Sequence, residues 1–528
     1  MTLMKATSPL KIRFGKRFLV IAISLGLAAC QNEQPSLNLV EATLGDIQHA
    51  IVTGQTTCHA VVSAYLQRIE HYDKTSGVNA ITVLNPQALI TAAAHDQALA
   101  NGQELPELFC APIVVKDNYD THDMPTTGGS IALANNFPPD DAFMVRKLRE
   151  AGAIIIAKTN MAEWAFSPRE TVSSSFGRTA NAYDTDFVPA GSSGGTASAV
   201  AASFAVAGMG SDTGNSIRGP SSHLALFGIR STLGLTSRDG IIPLIFDRDV
   251  AGPMTRTVED GVRLFNVVAA YDPNDSLSVP GKRDADYREY LKVDGLSGKR
   301  IGVFRRLVDH DNADPEIKQL FFAALDDMRE AGATIIDFVA IENFDALNDE
   351  IRSCSSFRYD LKNYLQTLED APFEDVASLL ESGEFAQEAK SSLEFFSRFS
   401  LDTAPEQWQE PCLIWPNNPL RNQLLSNTVQ AMDAENLDAL VYPTWSNPPA
   451  HIDKANEEYL GDNSQLLVPA AGLPAVTIPM GFWQARLPAG LQIVGRPYAE
   501  GVLIEIAYGY EQKTQHRRAP QGFPSLTD

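Results

Sequence analysis

The sequence lacks the short motifs that usually mark metal and nucleotide sites. It contains no H-E-x-x-H motif, no pair of C-x-x-C motifs and no Walker-type phosphate loop. Zinc-dependent and nucleotide-dependent chemistry therefore have no motif support, because each places its ligands at such fixed spacings. We expect neither a metal ion nor an organic cofactor.

Basic residues are scarce relative to acidic ones. The 528-residue chain has 42 lysine and arginine residues against 65 aspartate and glutamate residues, a formal net charge of -23. Nucleic acids and anionic lipid surfaces repel such a protein, so neither is an expected partner of the protein surface itself. Hydrophobic residues make up 44% of the chain, which is ample for a large core. We expect a monomer or a homodimer.

The N-terminus has the proportions of a secretory signal. Basic residues precede an apolar stretch at 18–29 that is too short to span a bilayer. The segment Leu27-Ala28-Ala29-Cys30 resembles the bacterial lipobox, in which cleavage before the cysteine is coupled to its acylation. Several acyl chains on Cys30 would anchor the protein firmly to a membrane.

These features predict a signal peptide over 1–29, a short tether over 30–37 and a folded body over 38–525. Gln31 follows the cysteine where aspartate would retain the protein in the inner membrane, which predicts an outer-membrane lipoprotein facing the periplasm. Ordinary cleavage after Ala29, giving a soluble exported protein, is the alternative.

Beyond Cys30 there are four cysteines, Cys58, Cys110, Cys354 and Cys412. In an oxidising compartment they can form up to two disulfides, of which Cys354–Cys412 is the favoured pair. Buried free thiols are the alternative.

Two serines occupy glycine-rich turns within residues 189–220. Ser192 lies in P-A-G-S-S-G-G-T, and Ser216 lies in G-S-D-T-G-N-S-I-R-G-P. The composition between them predicts a helix over 196–203 and a buried strand over 204–210. Because such a helix and strand span similar distances in opposite directions, both serines are expected at one edge of a sheet.

A lysine ends an apolar run earlier in the chain. Residues 111–115 are of strand type, and Lys116 follows them directly. Desolvation at the end of a buried strand lowers the pKa of a lysine and makes it usable as a base. A side chain that simply points into water is the alternative.

Together these segments resemble the amidase signature family, whose Ser-cisSer-Lys triad hydrolyses amide bonds. The G-x-P-x-x-x-K-D pattern ends at Lys116, with Ala111 in place of the first glycine. The G-S-S-G-G loop covers 191–195 and makes Ser192 the bridging serine on a cis peptide bond. The D-x-G-G-S-I-R pattern covers 212–218 and makes Ser216 the nucleophile. The resemblance runs from about residue 38 to about residue 512, with its main interruption at about 338–436.

The resemblance implies a fold as well as a mechanism. The expected fold is a single large α/β/α sandwich with a central mixed, twisted sheet flanked by helices, in agreement with the alternation of helical and apolar strand patterns. In the implied mechanism, Ser216 attacks the amide carbonyl and its proton passes through Ser192 to neutral Lys116. Water then hydrolyses the acyl-enzyme. The substrate is a small-molecule or peptide amide, since some members cleave C-terminal amides of peptides.

The resemblance also assigns supporting roles. Backbone N–H groups of Thr213, Gly214 and Asn215 are expected to bind the oxyanion or substrate. Many members have glycine at the position of Asn215, and asparagine is the next most tolerant residue for positive φ. Ser193, Asp212 and Arg218 are expected to support the triad from behind, with an Asp212–Arg218 pair bracing the nucleophile turn.

Three other hypotheses remain open. Residues 191–195 also spell G-x-S-x-G, the nucleophile elbow of α/β-hydrolases, which would make Ser193 the nucleophile and require a downstream histidine. A catalytically silent binding lipoprotein on an amidase scaffold is the second. The third is the component that transamidates mischarged tRNA, which export and the acidic charge disfavour.

The acidic segment at about 341–424 resembles the family least. Its pattern is mostly helical and rich in aromatic residues. Such a segment either walls the substrate pocket or packs its aromatic side chains inward as an ordinary helical elaboration.

Overall fold

A mixed sheet of 11 strands forms the centre of the part of the chain that the structure describes. The computed structural model describes residues 37–352 and 354–526. The predicted signal peptide, the predicted lipidation site Cys30 and the tether up to residue 36 lie outside the described residues. Among the helices that are described, none is both long enough and apolar enough to cross a membrane.

The described strands are, in chain order, β1 (Ile81–Leu84), β2 (Ala111–Lys116), β3 (Ala153–Thr159), β4 (Thr171–Ser173), β5 (Gly177–Thr179), β6 (Ala207–Asp212), β7 (Phe227–Arg230), β8 (Val250–Thr255), β9 (Arg300–Val303), β10 (Thr334–Ile336), β11 (Ala439–Pro443), β12 (Ala475–Trp483) and β13 (Leu487–Val494). The large sheet has the order β1-β3-β2-β6-β8-β7-β12-β13-β11-β9-β10, and β4 pairs with β5 in a separate hairpin. Parallel pairs lie at β3-β2-β6 and at β11-β9-β10, and the remaining pairs are antiparallel.

The described α-helices are, in chain order, α1 (Leu44–Val52), α2 (Cys58–Tyr72), α3 (Ala88–Ala100), α4 (Phe143–Glu150), α5 (Gly194–Ala201), α6 (Arg218–His223), α7 (Val258–Val268), α8 (Pro315–Glu330), α9 (Phe344–Glu350), α10 (Phe357–Leu365), α11 (Val376–Ser382), α12 (Lys390–Phe396), α13 (Pro419–Ala434), α14 (Val468–Ala471) and α15 (Glu500–Thr514). Helices and sheet share one extensive apolar core. The expected α/β fold, a mixed central sheet flanked by helices, is confirmed.

Two capped helices lie within residues 44–72. Thr43 begins α1 with a capping box, and Thr57 accepts a hydrogen bond from the backbone N–H of Ala60 at the start of α2. Both caps satisfy backbone donors that a helix start leaves unpaired.

The helix and strand between the two serines are displaced from their predicted bounds. The predicted helix over 196–203 is α5 (Gly194–Ala201), and the predicted strand over 204–210 is β6 (Ala207–Asp212). Ser203 has φ 55°, in the left-handed region, which ends the helix early and delays the strand by three residues. The later strand end brings Ser211 and Asp212 into the sheet itself.

The four described cysteines form two disulfides. Cys354 pairs with Cys412, the favoured pair, and Cys58 pairs with Cys110. The Cys354–Cys412 disulfide joins two positions within the segment at 341–424. The Cys58–Cys110 disulfide joins the start of α2 to the residue before β2.

The variable segment both packs inward and reaches a cavity. Phe357, Leu361 and Phe396 form part of a second apolar cluster together with Trp164. On the same helix α10, Tyr359 and Asp360 line a cavity beside β6. One face of α10 therefore packs inward, and another face lines the cavity.

Candidate active site

The lysine proposed as the base lies at the end of β2 and is fully buried. Its Nζ lies 2.7 Å from Ser192 Oγ and 2.8 Å from Ser211 Oγ. Burial lowers the pKa of Lys116 from 10.5 to about 7, although the carboxylates of Asp249 and Asp212 act in the opposite direction. A large neutral fraction near pH 7 is what a general base requires. The hypothesis that this lysine points into water is wrong.

Ser192 follows a cis peptide bond at Gly191–Ser192, as the family resemblance implied. The neighbouring glycines are needed because other backbone segments approach closely. A Cβ at Gly191 would lie 2.4 Å from the carbonyl oxygen of Ser167, and a Cβ at Gly195 would lie 2.2 Å from that of Asn160. The loop therefore fixes the Ser192 hydroxyl against Lys116 by close packing.

Ser216 lies on the turn between β6 and α6 and is 4% exposed. Its Oγ donates a hydrogen bond to Asn215 Oδ1 at 3.4 Å. Among the described residues no hydrogen bond joins Ser216 to Ser192. The proton path therefore needs the Ser216 hydroxyl to turn away from Asn215.

From the sequence, Asn215 was expected to tolerate a positive φ. In the structure Asn215 does not have a positive φ. Instead, its side chain connects the turn at Ser216 to two neighbouring segments. Asn215 Nδ2 donates to the Pro168 carbonyl oxygen and to Asp462 Oδ2, both at 3.0 Å. The departure from glycine thus adds a side chain that ties the nucleophile turn to two neighbouring segments.

The turn at residues 213–216, which carries the predicted nucleophile Ser216, presents a set of backbone donors. None of the hydrogen bonds among the described residues uses the backbone N–H groups of residues 213–216. Gly214 admits no side chain without a shift, because a Cβ there would lie 2.1 Å from Gln465 Oε1. Unengaged N–H groups beside a nucleophile can stabilise a developing oxyanion.

Asp212 holds this turn in place from a fully buried position. The predicted pair with Arg218 is confirmed by a distance of 3.1 Å from Arg218 Nε to Asp212 Oδ2. Arg230 contacts the other oxygen, Oδ1, at 2.9 Å. Burial alone would raise the pKa of Asp212, but the guanidinium groups of Arg218 and Arg230 hold it well below its usual range. The same carboxylate accepts the backbone N–H of Ile217 at 3.2 Å, which fixes the residue after the nucleophile.

Arg218 connects the turn at Ser216 to a distant strand of the sheet. Its Nη1 donates to Gln492 Oε1 on β13 at 2.9 Å, and its Nη2 donates to the carbonyl oxygen of Gly214 at 2.6 Å. Gln492 Nε2 in turn donates to the Tyr442 hydroxyl at 2.6 Å. The nucleophile turn is thus connected to the second half of the sheet through buried polar contacts.

Sequence reasoning missed Ser211, which is the second hydroxyl on Lys116. Ser211 Oγ also accepts a hydrogen bond from Asn118 Nδ2 at 3.1 Å, and Ser193 Oγ donates to the Ser211 carbonyl oxygen at 3.2 Å. Ser193 therefore supports the strand end that carries Ser211. Arg230 was missed as well, although it ends an apolar run in the same way as Lys116 and the same signal would have identified it.

The histidines that an α/β-hydrolase triad would need are engaged elsewhere. His223 is buried against the Trp445 ring, and burial lowers its pKa to about 3. His310 contacts the Ser446 hydroxyl, His451 contacts Glu458, and His516 lies near Asp327. Among the described residues, no histidine contacts Ser193, so the nucleophile-elbow hypothesis gains no support.

A group of potential metal ligands occurs away from these residues. His122, Asp123 and Asp141 can bring one ligand atom each within 4.8 Å of one another. Arg149 already contacts both carboxylates, at 2.8 Å to Asp123 and 3.0 Å to Asp141. Both carboxylates of this group are therefore already engaged by one guanidinium group.

Comparison with known proteins places this geometry in a family. The family model described as Amidase matches residues 60–504. The chain is 33% identical over 507 residues to a glutamyl-tRNA(Gln) amidotransferase subunit of Thermosynechococcus vestitus, covering 91% of this chain and 100% of that protein.

Solved structures agree with this result. The native peptide amidase of Stenotrophomonas maltophilia superposes with a TM-score of 0.79 at 33% identity, covering 91% of this chain and 98% of that chain. A peptide amidase in complex with the competitive inhibitor chymostatin superposes with a TM-score of 0.82, also at 33% identity, covering 91% and 99%. The chain therefore belongs to the amidase signature family, and it is an enzyme that acts on amide C–N bonds.

Proposed function

We propose that the protein hydrolyses carboxylic amides to an acid and ammonia or an amine, with C-terminal peptide amides as its substrates. The main support is the contact at 2.7 Å between Lys116 Nζ and Ser192 Oγ. It lies in a buried site that lowers the pKa of the lysine to about 7. A silent binding scaffold has no physical need for a desolvated lysine on a serine hydroxyl.

In the proposed reaction, Ser216 Oγ attacks the amide carbonyl carbon while its proton passes to Ser192 and the Ser192 proton passes to Lys116. The backbone N–H groups of residues 213–216 stabilise the oxyanion. Protonated Lys116 returns a proton through Ser192 to the leaving nitrogen, the C–N bond breaks, and an acyl-enzyme on Ser216 remains. Water then adds to the acyl carbon by the same relay, and the acid leaves.

The similarity to solved peptide amidases supports the peptide part of this proposal. Those structures superpose over more than nine-tenths of the chain at 33% identity. The second candidate function is that of an amidotransferase component, which the similarity to the glutamyl-tRNA(Gln) amidotransferase protein favours. Such a component works beside a tRNA, and a net charge of -23 opposes the approach of a polyanion.

The two candidates differ in what the isolated protein hydrolyses. We expect the purified protein to release ammonia from C-terminal peptide amides faster than from aliphatic, aryl or fatty-acyl amides and faster than from glutamine. Ammonia release is measured by a coupled assay, with the Ser216→Ala variant as the blank. Hydrolysis of glutamine alone would favour the amidotransferase component, and no hydrolysis of any amide by folded protein would favour the binding lipoprotein.

We also propose that the enzyme is exported and anchored through acylated Cys30 to the outer membrane, facing the periplasm. The lipobox-like Leu27-Ala28-Ala29-Cys30 after a basic and apolar segment supports this location. In a Gram-negative host, the full chain should incorporate labelled palmitate and sediment with the outer membrane. Cys30→Ser should lose the label, whereas Cys412→Ser should keep it. An unlabelled wild-type protein in the soluble periplasmic fraction would support cleavage after Ala29.

A further inference from the structure

A cavity of about 520 Å³ opens beside the proposed triad. Ser211 and Thr213, at the end of β6, line one side, and Tyr359 and Asp360 of α10 line another. Ser211 Oγ lies 2.8 Å from Lys116 Nζ, so the cavity reaches the residues that contact the base. Ser216 is not part of the lining, but Thr213, three residues before it in the same turn, is.

Carboxyl groups outnumber basic groups on the walls of the cavity. Six carboxylates and one guanidinium line it: Asp239, Asp247, Asp249, Asp275, Asp360 and Glu406, together with Arg238. Arg238 forms an ion pair with Asp275. Asp247 forms an ion pair with Arg421, which does not line the cavity. Within the described residues, neither Asp249 nor Asp360 lies in an ion pair with a lysine or an arginine.

Two buried acceptors on the cavity wall have no donor. Asn118 Oδ1 and Asp247 Oδ1 make no hydrogen bond with any described residue, and both side chains are 2% exposed. Asn118 is held in place by its Nδ2, which donates to Ser211 Oγ at 3.1 Å. Because a buried acceptor without a donor costs free energy, the cavity is suited to a ligand that brings N–H donors.

We propose that this cavity binds a protonated amine or guanidinium of the amide substrate, with Asp360 and Asp249 as its counter-ions. The proposal rests on the proposed hydrolysis of peptide amides and names their class: amides that carry a cation near the scissile bond. Asn118 Oδ1 and Asp247 Oδ1 would accept hydrogen bonds from the same cation.

Asp360 is only partly ionised near pH 7 unless a cation binds beside it. Burial raises the pKa of Asp360 to about 7 against a hydrogen bond from the Ser356 hydroxyl, and the negative charges of Asp249 and Asp247 raise it further. Asp249 is held by the Thr213 hydroxyl and by the backbone N–H groups of residues 244 and 245, so its position is fixed. A cation between the two carboxylates would relieve their repulsion.

Matched peptide amides test the proposal on the whole mature protein. Alanyl-lysinamide and alanyl-norleucinamide differ in the ammonium group alone, and their N-acetyl forms remove the α-ammonium group. We expect kcat/KM to be at least about tenfold higher for the lysine amide, because a partly buried ion pair is worth that factor. A preference for the lysine amide that survives N-acetylation identifies the side-chain ammonium group as the ligand. Equal rates for the two amides that both fall about tenfold on N-acetylation identify the α-ammonium group.

Variants show whether the cavity is responsible. Asp360→Asn should reduce the ratio of kcat/KM for lysine amide over norleucine amide about tenfold. The matched control is Asp370→Asn, which removes the same charge from an exposed position of the same segment and should leave the ratio unchanged. The proposal is overturned if the two amides react at equal rates and N-acetylation slows neither, or if Asp360→Asn changes neither the lysine-to-norleucine ratio nor the effect of N-acetylation.

A binding measurement separates this proposal from the proposed function. The Ser216→Ala variant, titrated calorimetrically with N-acetyl-lysinamide, N-acetyl-norleucinamide and lysinamide, should bind at least one cation more tightly than the neutral amide. If the wild-type protein hydrolyses no amide but this preference is present, the proposed function fails and the cation site stands. If amides are hydrolysed and no cation is preferred, the cation site alone fails.

Discussion

The Ser216→Ala variant is expected to lose amide hydrolysis by a factor on the order of 10⁶ while its melting temperature stays within about 2 °C of the wild type. The side chain is small and its Oγ makes one weak contact at 3.4 Å, to Asn215 Oδ1, so removing it costs little stability. Rates are measured on the best peptide amide of the panel, and stability by circular dichroism.

The chain offers a matched control for this change. Ser221 lies on α6 directly after the nucleophile turn, is buried, and its Oγ has no hydrogen-bond partner among the described residues. Ser221→Ala should therefore retain wild-type activity and stability. Retention of more than about 1% of activity by Ser216→Ala would show that another group is the nucleophile, and Ser193→Ala would then be the next variant.

The second large effect is expected for Lys116→Ala. Without the base, neither Ser192 nor Ser216 can lose its proton efficiently, and kcat should fall nearly as far as in Ser216→Ala. Because the triad acts as one unit, the double variant should be little worse than either single variant. Loss of a buried side chain that contacts Ser192 and Ser211 also lowers stability, so rates are compared only below the melting temperature.

A pH profile tests the role of Lys116 without any substitution. The neutral amine is the reactive form, so kcat/KM should fall about tenfold per pH unit below the lysine pKa of about 7 and level off above it. Asp249 and Asp212 are the charged groups that face it, and Asp212 stays ionised over this range because Arg218 and Arg230 lower its pKa. A profile that kept rising to pH 10 would mean that the lysine is not desolvated during catalysis.

Three buried charged residues support the turn on which Ser216 lies. Asp212, Arg218 and Arg230 are each fully buried, and the carboxylate lies between the two guanidinium groups. A buried pair of this kind contributes little net stability but strongly penalises any arrangement in which one partner is lost. The three charges therefore specify the position of the turn on which Ser216 and the backbone donors lie.

Much of this site was predictable from the sequence because it is built from local segments. The strand that ends at Lys116, the glycine loop at Ser192 and the turn at Ser216 are each contiguous. The alternation of helical and strand patterns and the family resemblance predicted the α/β fold, and the spacing within 212–218 predicted the Asp212–Arg218 pair. The apolar run at 111–115 likewise forms a strand, β2, that ends at Lys116. In these cases an apolar run or a glycine turn determines the local backbone directly.

The tertiary structure decided what depends on residues distant in sequence. Ser211 meets Lys116 only because β6 pairs with β2 in parallel, and Arg230 reaches Asp212 only because β7 lies beside β8 in the same sheet. The acidic cavity likewise combines Asp249 with Asp360, which are separated by more than a hundred residues and meet at the cavity that α10 and the start of β8 both line. Sequence patterns report local periodicity and close backbone approach, whereas the partners of a buried charge are selected by strand order and packing, which no single segment encodes.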